Sequence, residues 1–255
     1  MAGLDVVGFL PFSSSAWIGK KSAVVFVPGC NFLCGYCHSY PLVLYPNKLP
    51  RIELEKVFSE IVSERQRAGI EGIVVSGGEP TLHGTKLTAF LEKIKDFGFE
   101  AKIDTNGSNP FMIRTLVDNN LVDFVSLDIK APYLPAKYFS VTKKKAVLSK
   151  IMKSIDLVIS SGIDYEFTMT FVPSLHSPRD VFAIARYLKG AKRFVLQQFR
   201  AENGVMDDAF ESVATPSYDS LVEIAQKIRN ISEVRVRTLQ GDQIVSATQR
   251  IEAVK

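Results

Sequence analysis

"AVVFVPGCNFLCGYCHSYP", residues Ala23 to Pro41, decides how the rest of the chain is read. Its first five residues are apolar and mostly β-branched, the composition of a buried strand. The loop that follows holds all three cysteines of the 255-residue chain: Cys30, Cys34 and Cys37. An odd number of thiols within eight residues is not a disulfide framework. The cluster points instead to a reducing compartment and to a metal or redox site.

The same strand-then-loop pattern recurs along the chain. Apolar runs lie at Gly72–Ser76, Glu100–Asp104, Asp123–Ile129, Tyr165–Phe171, Arg193–Phe199 and Glu233–Thr238. Helix-length segments separate them, at Glu53–Gly69, Thr85–Gly98, Asn109–Asn120, Lys145–Gly162, Ser177–Gly190 and Pro216–Asn230. Several start at Ser, Thr or Asn near a proline and stop at Gly or Asn, as capped helices do. Strand–helix alternation at this spacing predicts βαβ units and a parallel sheet, either open or partly closed as a barrel. The chain reads as one domain over 1–255, with a lead-in at 1–22, a core at about 23–200 and a closing helix and strand at 201–255. Lys137–Val147, with its lysine run, reads as an exposed connection.

Composition narrows the function classes. Hydrophobic residues make up 46% of the chain and charged residues 23%, as in a globular protein with a sizeable core. A net charge of +4 is too small to argue for nucleic acid, but suits an acidic protein partner. No apolar run reaches the roughly 18 residues of a membrane span, and the start lacks a secretory signal. The expected location is the cytoplasm.

In a parallel α/β sheet, reactive residues gather at the carboxyl ends of the strands. The cysteine loop follows the first run, and Gly77-Gly78-Glu79-Pro80 the second. Asp104-Thr105-Asn106-Gly107 follows the third, Asp128 and Lys130 close the fourth, and Gln197 and Gln198 the sixth. Taken singly, "GGEP" and "DTNG" read as turns. Asp128 and Lys130 are harder to dismiss: spaced by two, they share one face while Val125, Leu127 and Ile129 share the other. A carboxylate and an ammonium facing inward need each other or a ligand. His38 is a poor fourth metal ligand, because a neighbour of Cys37 rarely reaches the same tetrahedral ion. His83 and His176 read as surface or supporting residues, and Trp17 as a packing residue.

Structural zinc wants four ligands, commonly paired knuckles, and only one cluster is present. A catalytic zinc on three cysteines plus water has unusual spacing here. A cubane iron–sulfur cluster normally takes four cysteines, so three leave one iron open to a substrate or cofactor.

Cys30-x-x-x-Cys34-x-Tyr36-Cys37 resembles the signature of the radical S-adenosylmethionine (SAM) enzymes, and "SGGEP" one strand later strengthens the likeness. "FVPGCNFLCGYCHSYPLV", "KIDTNGSNP", "LVDFVSLDIKAP" and "VLQQF" extend it over most of the chain. They resemble the glycyl-radical enzyme activases, most of all the longer form of anaerobic ribonucleoside-triphosphate reductase activating protein, and are close to the pyruvate formate-lyase activating enzymes. The resemblance implies a partial (β/α)6 barrel and one [4Fe–4S] cluster on Cys30, Cys34 and Cys37, its fourth iron chelated by SAM. Tyr36 and His38 would lie against the adenine. Gly77, Gly78 and Glu79 would meet the methionine ammonium, chiefly through backbone carbonyls, with Asp104 and Asp128 helping. Lys130 would pair with the methionine carboxylate, and Gln198 or its neighbours would reach the ribose.

The implied reaction is reductive cleavage of SAM to a 5′-deoxyadenosyl radical, which takes a hydrogen atom from a glycine of a partner enzyme. Flavodoxin or ferredoxin would supply the electron. Two departures touch the loop's rim rather than its thiols: Cys37-His38-Ser39 stands where Cys-His-Asn is common, and Val27-Pro28-Gly29-Cys30 where Gln-Gly-Cys is common. Two alternatives stay open. One is a radical SAM enzyme with a small-molecule substrate, such as 7-carboxy-7-deazaguanine synthase; the other is a non-catalytic zinc or electron-transfer protein.

Overall fold

The computed structural model describes residues 3–145, 147–202 and 204–245. Among these residues, nine strands form one sheet in strictly sequential order. They are β1 (Gly8–Ser13), β2 (Ser22–Val27), β3 (Gly72–Gly77), β4 (Glu100–Thr105) and β5 (Phe124–Asp128). β6 (Asp164–Phe171), β7 (Arg193–Gln198), β8 (Glu233–Thr238) and β9 (Gly241–Val245) complete it. β2 to β8 run parallel, and only the edge strands β1 and β9 are antiparallel to their neighbours. The helices are α1 (Tyr40–Leu44), α2 (Leu54–Ala68), α3 (Thr85–Asp96) and α4 (Pro110–Asp118), then α5 (Pro135–Thr142), α6 (Leu148–Ser160), α7 (Pro178–Tyr187) and α8 (Tyr218–Gln226). This is an α/β fold with the expected strand–helix alternation and parallel sheet.

Alternation along each strand sorts the faces. Val125, Leu127 and Ile129 are fully buried in the main core with Ile73, Val75 and Ile103 and with α3, α4 and α6 residues such as Leu91, Leu116 and Ile155. Each such side chain contributes roughly 1.5–3 kcal/mol by leaving water. The opposite face carries polar residues and one small apolar cluster, Trp17 with Val24, Val74 and Phe124. Trp17 is thus a packing residue, its ring 5.6 Å from that of Phe124.

Three features differ from the sequence-based expectation. β1 was not legible, because Pro11 interrupts the strand pattern; the register shifts between Leu10 and Ser13, as suits a proline-bearing edge strand. β9 was hidden because its Gly241–Ile244 stretch has no apolar alternation. Part of Lys137–Val147 is not a connection but the body of α5, which buries Tyr138, Val141 and Thr142 and leaves Phe139, Ser140 and the lysines that follow outside. Residues 246–255 of the expected closing segment lie outside the described residues. Among the described residues, no helix is long and apolar enough to cross a membrane.

Candidate active site

The cysteine loop leaves β2 at Val27 and is tied to the sheet edge by backbone bonds. Gly78 N–H donates to the Val27 carbonyl (2.8 Å) and Glu79 N–H to that of Gly29 (2.7 Å). Farther along, Leu33 N–H donates to Thr142 (2.9 Å) and Asp207 N–H to Gly35 (2.9 Å). His83 Nε2 donates to the Pro28 carbonyl at 3.0 Å, so it braces the loop from behind. All three thiols are free. Burial pushes Cys30 up to about 11 and Cys34 up to about 12, and raises Cys37 too. The Lys130 charge works against each of these rises.

The two glycines of "SGGEP" are required by close approach. Gly77 has φ +109°, a left-handed conformation, and a Cβ at Gly78 would stand 1.9 Å from the Gly29 carbonyl oxygen. β3 also runs past its last pairing with β4, Val75 opposite Ile103, so its final peptides are off that ladder. The carboxylate of Glu79 is buried and fully engaged. It accepts from Thr81 N–H (3.1 Å), the Thr81 hydroxyl (2.5 Å), the Thr105 hydroxyl (2.7 Å) and Asn106 N–H (2.7 Å). Glu79 therefore knits the ends of β3 and β4 together, with both carboxylate oxygens engaged. Asn106 reaches on to Asn31 (2.9 Å) and toward Cys30 Sγ (3.8 Å).

Asp128 and Lys130 form an ion pair on the inner face. Burial opposes the Lys130 charge, but Asp128, Tyr36 and Cys34 outweigh it and hold the ammonium well above the usual lysine range. Asp104 Oδ1 and Asp128 Oδ1 are both buried without a hydrogen-bond partner, and Asp104 Oδ1 has an ion pair with Lys102 Nζ at 3.3 Å. Lys130 itself is held through its backbone. His176 accepts from Val172 N–H at Nδ1 (3.1 Å), which leaves Nε2 to donate to the Lys130 carbonyl (2.9 Å). The imidazole also meets Tyr36 edge-on, centroids 6.4 Å apart.

Burial pushes His176 down to about 4. The unfolded histidine takes up its proton near pH 6.5, the folded one only near 4, so stability falls as pH drops through that window. Chemical denaturation at pH 7 and pH 5 should show a loss of about 2 kcal/mol from this group. His176→Gln should flatten the slope, and an equal slope in the variant would refute the attribution.

All the sequence-predicted site residues line one cavity of about 400 Å³: Cys30, Cys34, Tyr36, Cys37, His38, Gly77, Gly78, Glu79, Asp104, Asp128, Lys130 and Gln198. Tyr36 is enclosed by His176, Phe199 and Phe210, whereas His38 is exposed, stacks on Phe199 and donates from Nδ1 to the Gly204 carbonyl (3.1 Å). Gln198 faces the cavity, but its amide donates to Pro216 (2.8 Å) and accepts from Leu239 N–H (3.4 Å). Sequence reasoning missed the polar floor. Lys102, Ser126 and Arg237 line the same cavity, and Glu166 bonds to both Ser126 and Arg237. The signal was there: Lys102 is two residues before Asp104, and Glu166 two before Thr168.

Among the described residues, no three His, Cys, Asp or Glu side chains are grouped to hold one metal ion. A mononuclear zinc would need its thiolates about 2.3 Å from a common point. Three separate thiols in one loop instead suit a polynuclear iron–sulfur cluster, in which different irons take different cysteines. The Asp104 and Asp128 carboxylates, each with a buried oxygen that accepts no hydrogen bond, and Lys130 suit a zwitterion in the same cavity.

Comparison with known proteins agrees. The model of the Radical SAM superfamily matches residues 24–193. A Methanocaldococcus jannaschii protein named as a candidate glycyl-radical enzyme activating enzyme is 32% identical over 239 residues, 92% of this chain and 97% of its own. A 7-carboxy-7-deazaguanine synthase of Thermococcus kodakarensis is 26% identical over 195 residues, 70% of this chain and 74% of its own. The crystal structure of Streptococcus suis SuiB bound to S-adenosylmethionine superposes with a TM-score of 0.60 at 14% identity, which is a likeness of fold. It covers 84% of this chain, and the chain spans about half (51%) of SuiB.

Proposed function

This chain belongs to the radical SAM superfamily, and from that premise we propose that it is a glycyl-radical enzyme activase whose partner is an anaerobic ribonucleoside-triphosphate reductase. The observation that carries the reading is the convergence of three thiols, the Asp104 and Asp128 carboxylates, each with one buried oxygen that accepts no hydrogen bond, and Lys130 on one cavity. When bound, a [4Fe–4S] cluster supplies an electron to the sulfonium of SAM, giving methionine and a 5′-deoxyadenosyl radical that takes hydrogen from a partner glycine.

Cys30, Cys34 and Cys37 would hold the cluster, and the backbone at Gly77–Glu79 would meet the methionine ammonium. Asp104 and Asp128 would help hold that ammonium, and Lys130 would pair with the methionine carboxylate. Tyr36 and His38 would lie against the adenine. Gln198 or its neighbours would reach the ribose, the Gln198 amide being already bonded to backbone groups. A low-potential flavodoxin or ferredoxin supplies the electron.

The name and near-complete coverage of the Methanocaldococcus relative favour the activase reading. One observation favours a second reading, a small-molecule substrate of the deazaguanine type: Lys102, Arg237 and Ser126 give the cavity floor fixed polar contacts. Anaerobically reconstituted protein with dithionite, SAM and a reductase subunit from the same cell separates the two. The activase reading expects a glycyl radical on the subunit by paramagnetic resonance, with methionine and 5′-deoxyadenosine in equal amounts. Cleavage of SAM that consumes only a free small molecule would overturn it.

A further inference from the structure

Leu33 lies between Phe32 and Cys34, which both line the cavity, yet it is 47% exposed. It therefore marks the outer side of the cysteine loop. α5 packs against that loop: Leu33 N–H donates to the Thr142 carbonyl at 2.9 Å, and the Phe32 and Tyr138 rings meet edge-on, 6.5 Å apart.

At Thr142 the chain turns out of the helix. Lys143 takes the left-handed conformation (φ 56°), and its N–H caps α5 on the Phe139 carbonyl at 2.8 Å. Lys144 N–H donates to the Thr142 hydroxyl at 3.3 Å. Lys143, Lys144 and Lys145 are all exposed, and among the described residues none forms an ion pair. Lys145 Nζ sits 5.8 Å from the ring of the exposed Phe139. One lysine at a helix C-terminus complements the helix dipole. Here three follow the end of α5, one of them beside the exposed Phe139, and the exposed Leu33 of the cysteine loop is tied by its backbone to the same helix end, so basic and apolar groups share one surface region.

We propose that Leu33, Phe139 and Lys143–Lys145 form the docking surface for an acidic one-electron carrier protein. The proposal rests on the reading that the cysteine loop holds a redox cluster. Electron-transfer complexes are small, transient and steered by charge rather than by large apolar contacts. A carrier seated here stands one residue in sequence from Cys34 and leaves the cavity free for SAM and substrate. The carrier is oxidised by one electron and the cluster site reduced by one; no atom is transferred.

The test is a triple variant, Lys143→Glu, Lys144→Glu and Lys145→Glu, in the reconstituted full chain. Formation of 5′-deoxyadenosine is followed with reduced flavodoxin, with reduced ferredoxin and with dithionite, each at low and high salt. Carrier-driven rates should fall about ten-fold or more in the variant and lose their salt dependence, while the dithionite rate stays unchanged. A response to one carrier alone supports the proposal and identifies the donor. Unchanged rates with both carriers overturn it. A loss with dithionite as well also overturns it, because the lysines would then act on the site or the fold. Intact carrier-driven cleavage with lost radical transfer to the reductase subunit overturns it too and assigns the patch to that subunit. No cleavage by the unmodified protein with dithionite refutes the cluster assignment itself, and this proposal with it.

Discussion

Cys34→Ala, reconstituted with iron and sulfide under argon, forms no 5′-deoxyadenosine above the protein-free control. Cys34 is the most buried of the three cysteines, 5% exposed, and it lies near both Lys130 and Tyr36. With three thiols in the loop and no fourth cysteine in the chain, nothing else can take its place as a sulfur ligand. Iron should drop from about four per chain toward background, and the brown iron–sulfur absorption should vanish with it. Cys30→Ala and Cys37→Ala should behave alike. Burial holds these thiols protonated, so binding must release their protons; a variant short of one thiolate loses both a ligand and that driving reaction. Product formation at the unmodified rate in any of the three would end the cluster assignment.

Gly78→Ala should be almost as damaging without touching a ligand. Its Cβ would stand 1.9 Å from the Gly29 carbonyl oxygen and 2.7 Å from the Gly29 carbonyl carbon. Both obstacles are backbone, so no rotamer relieves the clash. Either the end of β3 or the start of the cysteine loop must move, and Gly29 is joined directly to Cys30. The expected result is a loss of about 1–3 kcal/mol in denaturant stability, as for other overpacked sites, together with a several-fold fall in retained iron. Gly69→Ala serves as the control: it lies in the left-handed region (φ +68°, ψ 41°), and the added carbon meets nothing nearer than Lys21 Nζ at 3.9 Å. It should cost only backbone strain, about 1 kcal/mol, and keep the iron. If Gly78→Ala matches that control in both stability and iron content, the close approach of the two loops is not what positions the thiols.

Much of the site was legible because it lies at strand ends. A period of two fixes which residues share a face, so Asp128 with Lys130, and Val125 with Leu127 and Ile129, could be sorted before any fold was known. The thiol spacing is likewise local, within one loop. Contacts between distant segments were not legible. Nothing in "SLHSP" says that His176 grips the Lys130 carbonyl, since that bond joins the loops after β5 and β6. Glu79 reads as part of a turn, yet its carboxylate bonds to Thr105 and Asn106 after the neighbouring strand. The lysine run hid α5 because charge is conspicuous in a sequence, while a buried stripe of Tyr138, Val141 and Thr142 is not.

By itself, the sequence determined the alternation of strands and helices, the three thiols and the charged residues at the strand ends. These follow from short-range periodicity and from residue chemistry, which need no knowledge of neighbours in space. The tertiary structure alone decided that those ends share one cavity, that Asp104 and Asp128 each keep a buried oxygen there that accepts no hydrogen bond, and that α5 backs the cysteine loop. Such facts depend on which strands lie side by side and how closely backbones approach, and those are set by packing over the whole sheet.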